Sequence, residues 1–547
     1  MIESLSDVHA ALVQRGFQHD AAVYDGKFIY TGELQSYIGS IPVSVTICGL
    51  DEIPRIRLLE IPSQFKSIEP HIGMNGELCY ASKGSIAFDV FRPASQILAC
   101  LDKATEVLDQ ILRGERVHDL ADEFYVYWSG SDFCFVDIKN IQSQYINAGI
   151  VLNTEGNETA SLIISESIED SAKKLAAMGR GVSSLPCGAC VISTSAEPIP
   201  LLNFNEWPPR NISQLLAWQR QLDNESARKL VLRLRRLLLD GHKTVVALFA
   251  SPTSLYAAGI LFNQEKLQGK LRAQSSISEV IYSSEVIPLN TIRMDDHYIV
   301  ERNQPGRQSL LGKKVLLIGC GTIGGYLADL LVKSGAGMGG GEFVLVDTDV
   351  MSSGNIGRHR LGFNSLYKNK AVALAAEIVL SMPSANVIGQ KVDAREMNLE
   401  PFDIIINVTG DQALSDELSV KVNQNTFTPI LHCWIEGPGI GVRSMLQDAH
   451  GKACYRCLCN ADRKPLYPAT TKQYPIQMAG QGCESLYVPF PASVSVFAAA
   501  LASEHLLDWV NGHPEPRLRT IIINQEYQSE HLNENPTKQS QCPACAS

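Results

Sequence analysis

The chain has 547 residues, 45% of them hydrophobic and 19% charged, with a net charge of −11 and a pI near 5.6. That length predicts two to four domains of ordinary globular composition. The acidic balance argues against a general nucleic-acid or membrane-surface binder.

Residues 1–20 read as an amphipathic helix with acids and no apolar run, so no signal peptide is visible. No apolar run reaches the membrane-spanning length of about 18 residues, so a cytoplasmic protein with no membrane partner is expected. Strand-like runs follow at 27–34, 41–50 and 55–61, separated by Gly, Pro and Asp turn signals as in an antiparallel meander. A Pro/Gly-interrupted loop then ends at Cys79. Residues 93–114 predict a long helix, with Pro at its start and Gly after its end. Cys100 on that helix and Cys48 in a strand read as buried small hydrophobes.

Between 136 and 292 the runs "INAGIVLN", "TASLIIS", "GACVIST" and "TVVALFA" look like strands, and 211–241 is largely helical. The basic stretch "RLRRLLL" at 233–239 reads as the solvated face of an amphipathic helix. Cys187 and Cys190 form a C-x-x-C pair without a surrounding thioredoxin-like unit and read as structural. This region predicts mixed α and β structure and is nearly silent about function.

From 312 strands and helices alternate: "KKVLLIG", "TIGGYLADLLVKSG", "GEFVLVD", "KNKAVALAAEIVLSM" and "FDIIINVTG". The alternation predicts a parallel sheet with helices on both faces and a ligand at the carboxyl ends of the strands. Gly319, Gly321 and Gly324 form G-x-G-x-x-G between a strand and a helix. The first permits the tight turn, the second lets a phosphate approach the backbone, and the helix N-terminus favours the anion. Asp347 ends the next strand, where a ribose-binding carboxylate belongs. A dinucleotide dehydrogenase shares all of these features. What separates the two is "DTDVMSSGNIGRHR", which puts Asp347, Asp349, Asn355 and Arg358 in one loop, with Lys370 opening the following helix and Asp411 after a later strand. Two cations and a carboxylate beside a nucleotide suit Mg·ATP, the cations offsetting phosphate charge and the carboxylate supplying an oxygen to the metal.

This stretch, over about 296–510, resembles the adenylating domain shared by ubiquitin-activating enzymes and the bacterial sulfur-carrier activators of the ThiF/MoeB type. The resemblance places the family's nucleotide-binding Asp, Asn-x-x-Arg and Lys on Asp347, Asn355, Arg358 and Lys370, and its Mg²⁺-binding Asp on Asp411. His359 departs from the usual Gln. The resemblance also implies a homodimer, in which Arg302 or Arg307 is the candidate to act across the interface. Cys454 and Cys457 with Cys542 and Cys545 make two C-x-x-C knuckles suited to tetrahedral Zn²⁺, and the family implies the same structural zinc. Cys459 is a spare.

Cys483 sits in the Gly- and Pro-bounded segment "MAGQGCESLYVPFP", a loop more readily than a helix. In ubiquitin-activating enzymes such a loop carries the cysteine that attacks the acyl-adenylate. Residues 5–130 resemble a ubiquitin-conjugating domain, in element order and in His71, Cys79 and Phe91-Arg92-Pro93. There Cys79 is the thioester cysteine. The family's His-Pro-Asn is here His71-Ile72-Gly73, so its Asn is displaced, with Asn75 the nearest substitute.

The expectation is an α/β multidomain protein: a ubiquitin-conjugating-like α+β domain at 1–135, a mixed α/β linker domain at 136–292, and a Rossmann-like adenylating domain with zinc knuckles at 293–547. The resemblances imply catalytic roles for Cys79, Cys483, Arg358, Lys370 and His71, with ATP, Mg²⁺ and Zn²⁺ as cofactors. The order of the parts resembles fused bacterial conjugation enzymes of CBASS anti-phage operons. That implies, as partner, the C-terminal tail of a cGAS/DncV-like nucleotidyltransferase or of a ubiquitin-like protein, with a target amine as acceptor and no nucleic acid. Two other classes stay open: a sulfur-carrier adenylyltransferase of cofactor biosynthesis, and a non-catalytic scaffold that binds a ubiquitin-like partner.

Overall fold

The computed structural model describes residues 3–20, 27–65, 68–73, 75–81, 88–128, 130, 132–139, 141–142, 144–153, 161–200, 207–263, 274–424, 427–475, 478–480, 487–527 and 533–545. Two units emerge: one of 1–152, 156–166 and 183–292, the other of 153–155, 167–182 and 293–547.

The first unit begins with helix Leu5–Gln14 and a five-stranded antiparallel sheet in sequence order: Gln18–His19, Phe28–Ser36, Gly39–Ile47, Arg55–Leu58 and Glu77–Leu78. Tyr30 pairs with Val45, and Val45 with Ile56, so the buried residues of neighbouring strands line one face. Helix Pro93–Leu112 covers that face with Ile97, Leu101, Ala104, Leu108 and Ile111, a spacing of three and four residues that makes one apolar stripe. Each fully buried Leu or Ile of that stripe contributes about 1.5–3 kcal/mol. Cys100 is buried as expected; Cys48 lies one residue past the end of its strand and is only half-buried.

The rest of this unit is a closed seven-stranded barrel. Its order is Thr244–Ala250, Leu255–Leu261, Glu285–Arg293, Asp132–Asp137, Ser161–Ser165, Gln144–Asn153 and Arg180–Ser193, closing by parallel pairing of the last with the first. The helical stretch is two helices, Ile212–Leu222 and Asn224–Leu239. They break at Asp223, whose carboxylate accepts the N–H groups of Glu225 and Ser226 as a cap. Arg233 and Arg236 are not simply solvated, because both guanidinium groups lie over the Tyr145 ring at 4.5 and 4.9 Å. Cys187 and Cys190, three apart on one strand, join opposite core clusters, and burial pushes their thiols up to about 11 and about 12.

The second unit carries an eight-stranded sheet in the order Val387–Gln390, Glu342–Val346, Lys314–Ile318, Ile404–Asn407, Ile430–Glu436, Gly441–Gln447, Leu518–Ile522 and Asn533–Glu534. The first five strands are parallel, as expected; the last three are antiparallel, so the sheet is mixed. The tight turn after Glu436 explains the change, since a hairpin reverses the chain without a crossover helix. Helices Thr322–Lys333, Lys370–Ser381 and Ala492–Val510 pack on one face, and Gln412–Lys421 on the other. Chain order reverses around Lys314–Ile318, which opens a crevice at the carboxyl ends of the strands. No described helix is long and apolar enough to cross a membrane.

Candidate functional site

At that crevice lies a cavity of about 670 Å³, walled by all the predicted nucleotide residues except Gly324, which packs behind it. Gly319 turns with φ +93°, a conformation that excludes a β-carbon. A β-carbon on Gly324 would stand 1.9 Å from the Gly319 carbonyl oxygen, so this glycine lets helix Thr322–Lys333 start against the turn. Around Gly321 the space is open. The Cys320 N–H donates to Asp347 Oδ2 at 2.7 Å, and Asp347 Oδ1 accepts the Asp349 N–H at 2.8 Å, so this carboxylate locks two loops together.

Lys370 is buried, and its ammonium lies 2.8 Å from Asp349 Oδ2. Arg358 lies over the Phe490 ring at 4.6 Å and donates to the Val488 carbonyl at 3.3 Å. Asn355 Oδ1 accepts from the Ser352 N–H at 3.0 Å, closing a capping box. His359 donates from Nε2 to the Cys320 carbonyl at 2.8 Å, and its Nδ1 accepts the Leu361 N–H. Burial holds its imidazole below the ordinary range. The histidine that departs from the usual Gln therefore ties the arginine loop to the glycine turn. Asp411 caps helix Gln412–Lys421 through Oδ1; its Oδ2 lies 3.9 Å from Arg395. Asp411 and Asp349 are hard oxygen donors in the cavity wall, which suits a magnesium ion that stays partly hydrated. Arg395, on the same wall, escaped sequence reading. Arg307 pairs with Asp508 at 3.0 Å and Arg302 lies over Tyr298, so both have partners within their own unit.

Cys454, Cys457, Cys542 and Cys545 are all buried, with sulfur–sulfur gaps of 3.8, 3.6 and 3.5 Å along the chain of contacts. Four thiolates at a Zn–S distance of about 2.3 Å stand about 3.8 Å apart on a tetrahedron, so the donor set and its spacing fit zinc. The Gln539 N–H donates to Cys457 Sγ at 3.5 Å, an outer contact that steadies the thiolate. Cys459 stays outside the cluster and half-buried.

In the first unit Cys79 is exposed on the residue after strand Glu77–Leu78, its N–H donating to the His71 carbonyl at 2.8 Å. Although the residue is exposed, partial desolvation of its sulfur, then Glu123 and Glu77, raises its pKa, so it rests as a thiol. His71 takes φ +61°, uncommon for a non-glycine residue, and its N–H donates to Glu123. Its Nε2 lies 2.8 Å from Asp119 Oδ2 and its Nδ1 2.6 Å from Glu123 Oε1. Glu123 above all, and Asp119, raise the imidazole pKa against burial. Phe124 and Trp128, stacked in an aromatic core with Trp218 and Tyr256, fix the turn that presents Glu123. Sequence reading missed both carboxylates. Asn75 accepts the Glu77 N–H at 3.1 Å, so its carbonyl is engaged within its own turn. Pro93 opens its helix as expected. Cys483 lies outside the described residues.

The ThiF family model matches residues 296–544, and the model called Prokaryotic E2 family B matches 51–133. The ATP-dependent ubiquitin transferase-like protein Cap2 of Pseudomonas aeruginosa is 38% identical over 100% of this chain and 99% of its own. The protein of the same name from Escherichia coli is 26% identical, over 94% of this chain and 93% of its own. Among solved structures, the crystal structure of E. coli MccB covers 43% of this chain and 65% of its own, with 18% identity and a TM-score of 0.33.

Proposed function

This chain belongs to the family of ATP-dependent ubiquitin transferase-like proteins, enzymes that join ThiF-type activation to an E2-like domain, and on that premise we propose a two-thiol relay. The reading assigns residues 1–135 to conjugation, 136–292 to a linker domain and 293–547 to adenylation. The observation that carries it is the cavity, in which a glycine turn, the cationic side chains of Arg358, Lys370 and Arg395 and several carboxylates meet at the end of a parallel sheet.

A C-terminal carboxylate attacks the α-phosphorus of ATP and expels pyrophosphate, giving an acyl-adenylate. Lys370 and Arg358 offset the phosphate charge, while Asp347, Asp349 and Asn355 hold the nucleotide. Asp411 would hold Mg²⁺, which neutralises phosphate charge when bound. Cys483 displaces AMP to form a thioester. Cys79 then attacks that carbonyl and its thiol proton passes to the departing Cys483 sulfur, with His71 beside the reacting thiol. Finally an amine displaces Cys79 and leaves an amide. Each step keeps the carbonyl activated, where a free carboxylate would be inert to amines.

The carboxylate belongs to a cGAS/DncV-like nucleotidyltransferase of a CBASS operon or to a ubiquitin-like protein, and the enzyme works as a cytoplasmic homodimer. The four clustered cysteines hold zinc. The test is incubation with ATP and the protein that co-purifies through its own C-terminus. AMP and pyrophosphate should form together, with an adduct that a reducing agent cleaves. A thiocarboxylate on the partner, with no adduct on Cys79, would favour sulfur transfer instead.

A further inference from the structure

His71, Cys79 and Glu123 each offer one donor atom, a ring nitrogen, a sulfur and a carboxylate oxygen, and the three atoms lie within 4.8 Å of one another. Three further observations distinguish this trio from a chance cluster. His71 Nδ1 is buried and faces Glu123 Oε1 at 2.6 Å, so the nitrogen and the carboxylate oxygen already point at one another beside the thiol. The opposite nitrogen, Nε2, is held by Asp119 at 2.8 Å. A carboxylate behind a histidine in this way fixes the ring and raises the basicity of the nitrogen that faces a metal. Moreover, the backbone is locked: the His71 carbonyl accepts the Cys79 N–H, and Glu123 accepts the His71 N–H. Such an uncommon backbone conformation at His71 persists only where its surroundings impose it.

We propose that His71, Cys79 and Glu123 form a three-ligand site for a thiophilic divalent cation such as Zn²⁺, whose binding holds the conjugating thiol out of acyl transfer. This rests on the reading of Cys79 as the conjugating thiol. Sulfur, imidazole and carboxylate are zinc donors, and three protein ligands leave a fourth position open. Cys79 is exposed, so a metal can reach the sulfur from solvent. The nitrogen–oxygen gap must open by roughly an ångström to reach tetrahedral spacing around Zn–N and Zn–O bonds of about 2.0–2.2 Å. One metal–sulfur bond, one metal–nitrogen bond and one metal–oxygen bond form. The Cys79 S–H and the His71 Nδ1–H break, and both protons leave to solvent. Two positive charges enter and two leave, so the cluster keeps its net charge and no redox partner is needed. The sulfur lone pair that would attack a thioester is then engaged by the metal. This site differs in kind from the buried four-cysteine cluster, which is closed and has no free position.

The full-length protein, with its four-cysteine cluster loaded, is titrated with Co²⁺. The parent should take up one further equivalent, with sulfur-to-cobalt charge-transfer absorption. Cys79→Ser should lose that absorption and the extra equivalent. Asp119→Asn, which changes a residue outside the proposed ligand set, should weaken binding by about 10–100-fold. Added Zn²⁺ should slow alkylation of Cys79 in the parent at least 10-fold, and a chelator should restore it. The proposal is overturned if the parent binds no more Co²⁺ than Cys79→Ser, or if zinc leaves alkylation unchanged. No ATP or partner protein enters these measurements, so their failure is distinct from a failure of the relay.

Discussion

Lys370→Ala protein is expected to fold like the parent and to form AMP about 100- to 1000-fold more slowly, the scale of losing one preorganised electrostatic contact to a transition state. The fold should survive because Lys370 has, among the described residues, a single ionic partner, Asp349, whose side chain is 66% exposed and stays hydrated when the ammonium is removed. The helix it opens keeps its cap, since Asn369 still accepts the Val372 N–H. What is lost is a cation in the cavity wall, held at a fixed position before any nucleotide arrives. Arg358 is a less clean probe: its guanidinium packs over Phe490 and Tyr487, so Arg358→Ala removes packing as well as charge. Pyrophosphate release and a thermal melt on the same preparation check the prediction. Activity within threefold of the parent would remove Lys370 from the nucleotide site.

Cys454→Ser should have the second large effect. Binding of a structural zinc is folding free energy, about 10–16 kcal/mol in zinc-finger peptides near neutral pH, against a domain stability of about 5–15 kcal/mol. Here the four sulfurs are the main link between the 454–457 knuckle and residues 542–545, and they close a small core with Met445 and Leu518. Replacing one sulfur by a hard hydroxyl lowers affinity and leaves three crowded thiols in a buried space. The variant should lose one equivalent of zinc by elemental analysis, melt at a lower temperature, and expose residues 533–545 to protease. A zinc-free parent with the same melting temperature would show that the cluster is not a metal centre.

Much of the second unit was legible because its signals are local. A turn that needs glycine, a helix start that attracts an anion and a run of apolar residues are all written in a few consecutive positions, as at Val315–Thr322. The two cysteine pairs were legible for the opposite reason: matched spacing identifies partners far apart in the chain. The antiparallel part of the sheet was not, because Gly441–Gln447 is polar in nearly half its positions yet as buried as the parallel strands, and only its short connection to Ile430–Glu436 sets its direction. The split between the two helices at Asp223 hid in a continuous helical pattern whose capping residue is a single side chain. Around Cys79 the sequence pointed to the thiol and to His71. The carboxylates that shape their chemistry come from Asp119 and Glu123, 48 and 52 residues beyond His71, brought there by the aromatic core. No spacing rule connects them. Barrel closure was equally hidden, since it depends on Arg180–Ser193 pairing in parallel with Thr244–Ala250.

The most direct measurement is the order in which the two sulfurs become acylated. With ATP and the partner tail supplied, each thiol is mapped by mass spectrometry in the parent, in Cys483→Ala and in Cys79→Ala. A relay predicts thioester on Cys483 in Cys79→Ala, and none on Cys79 in Cys483→Ala. Equal acylation of Cys79 in Cys483→Ala would contradict it, because Cys79 would then take the acyl group without the first thiol.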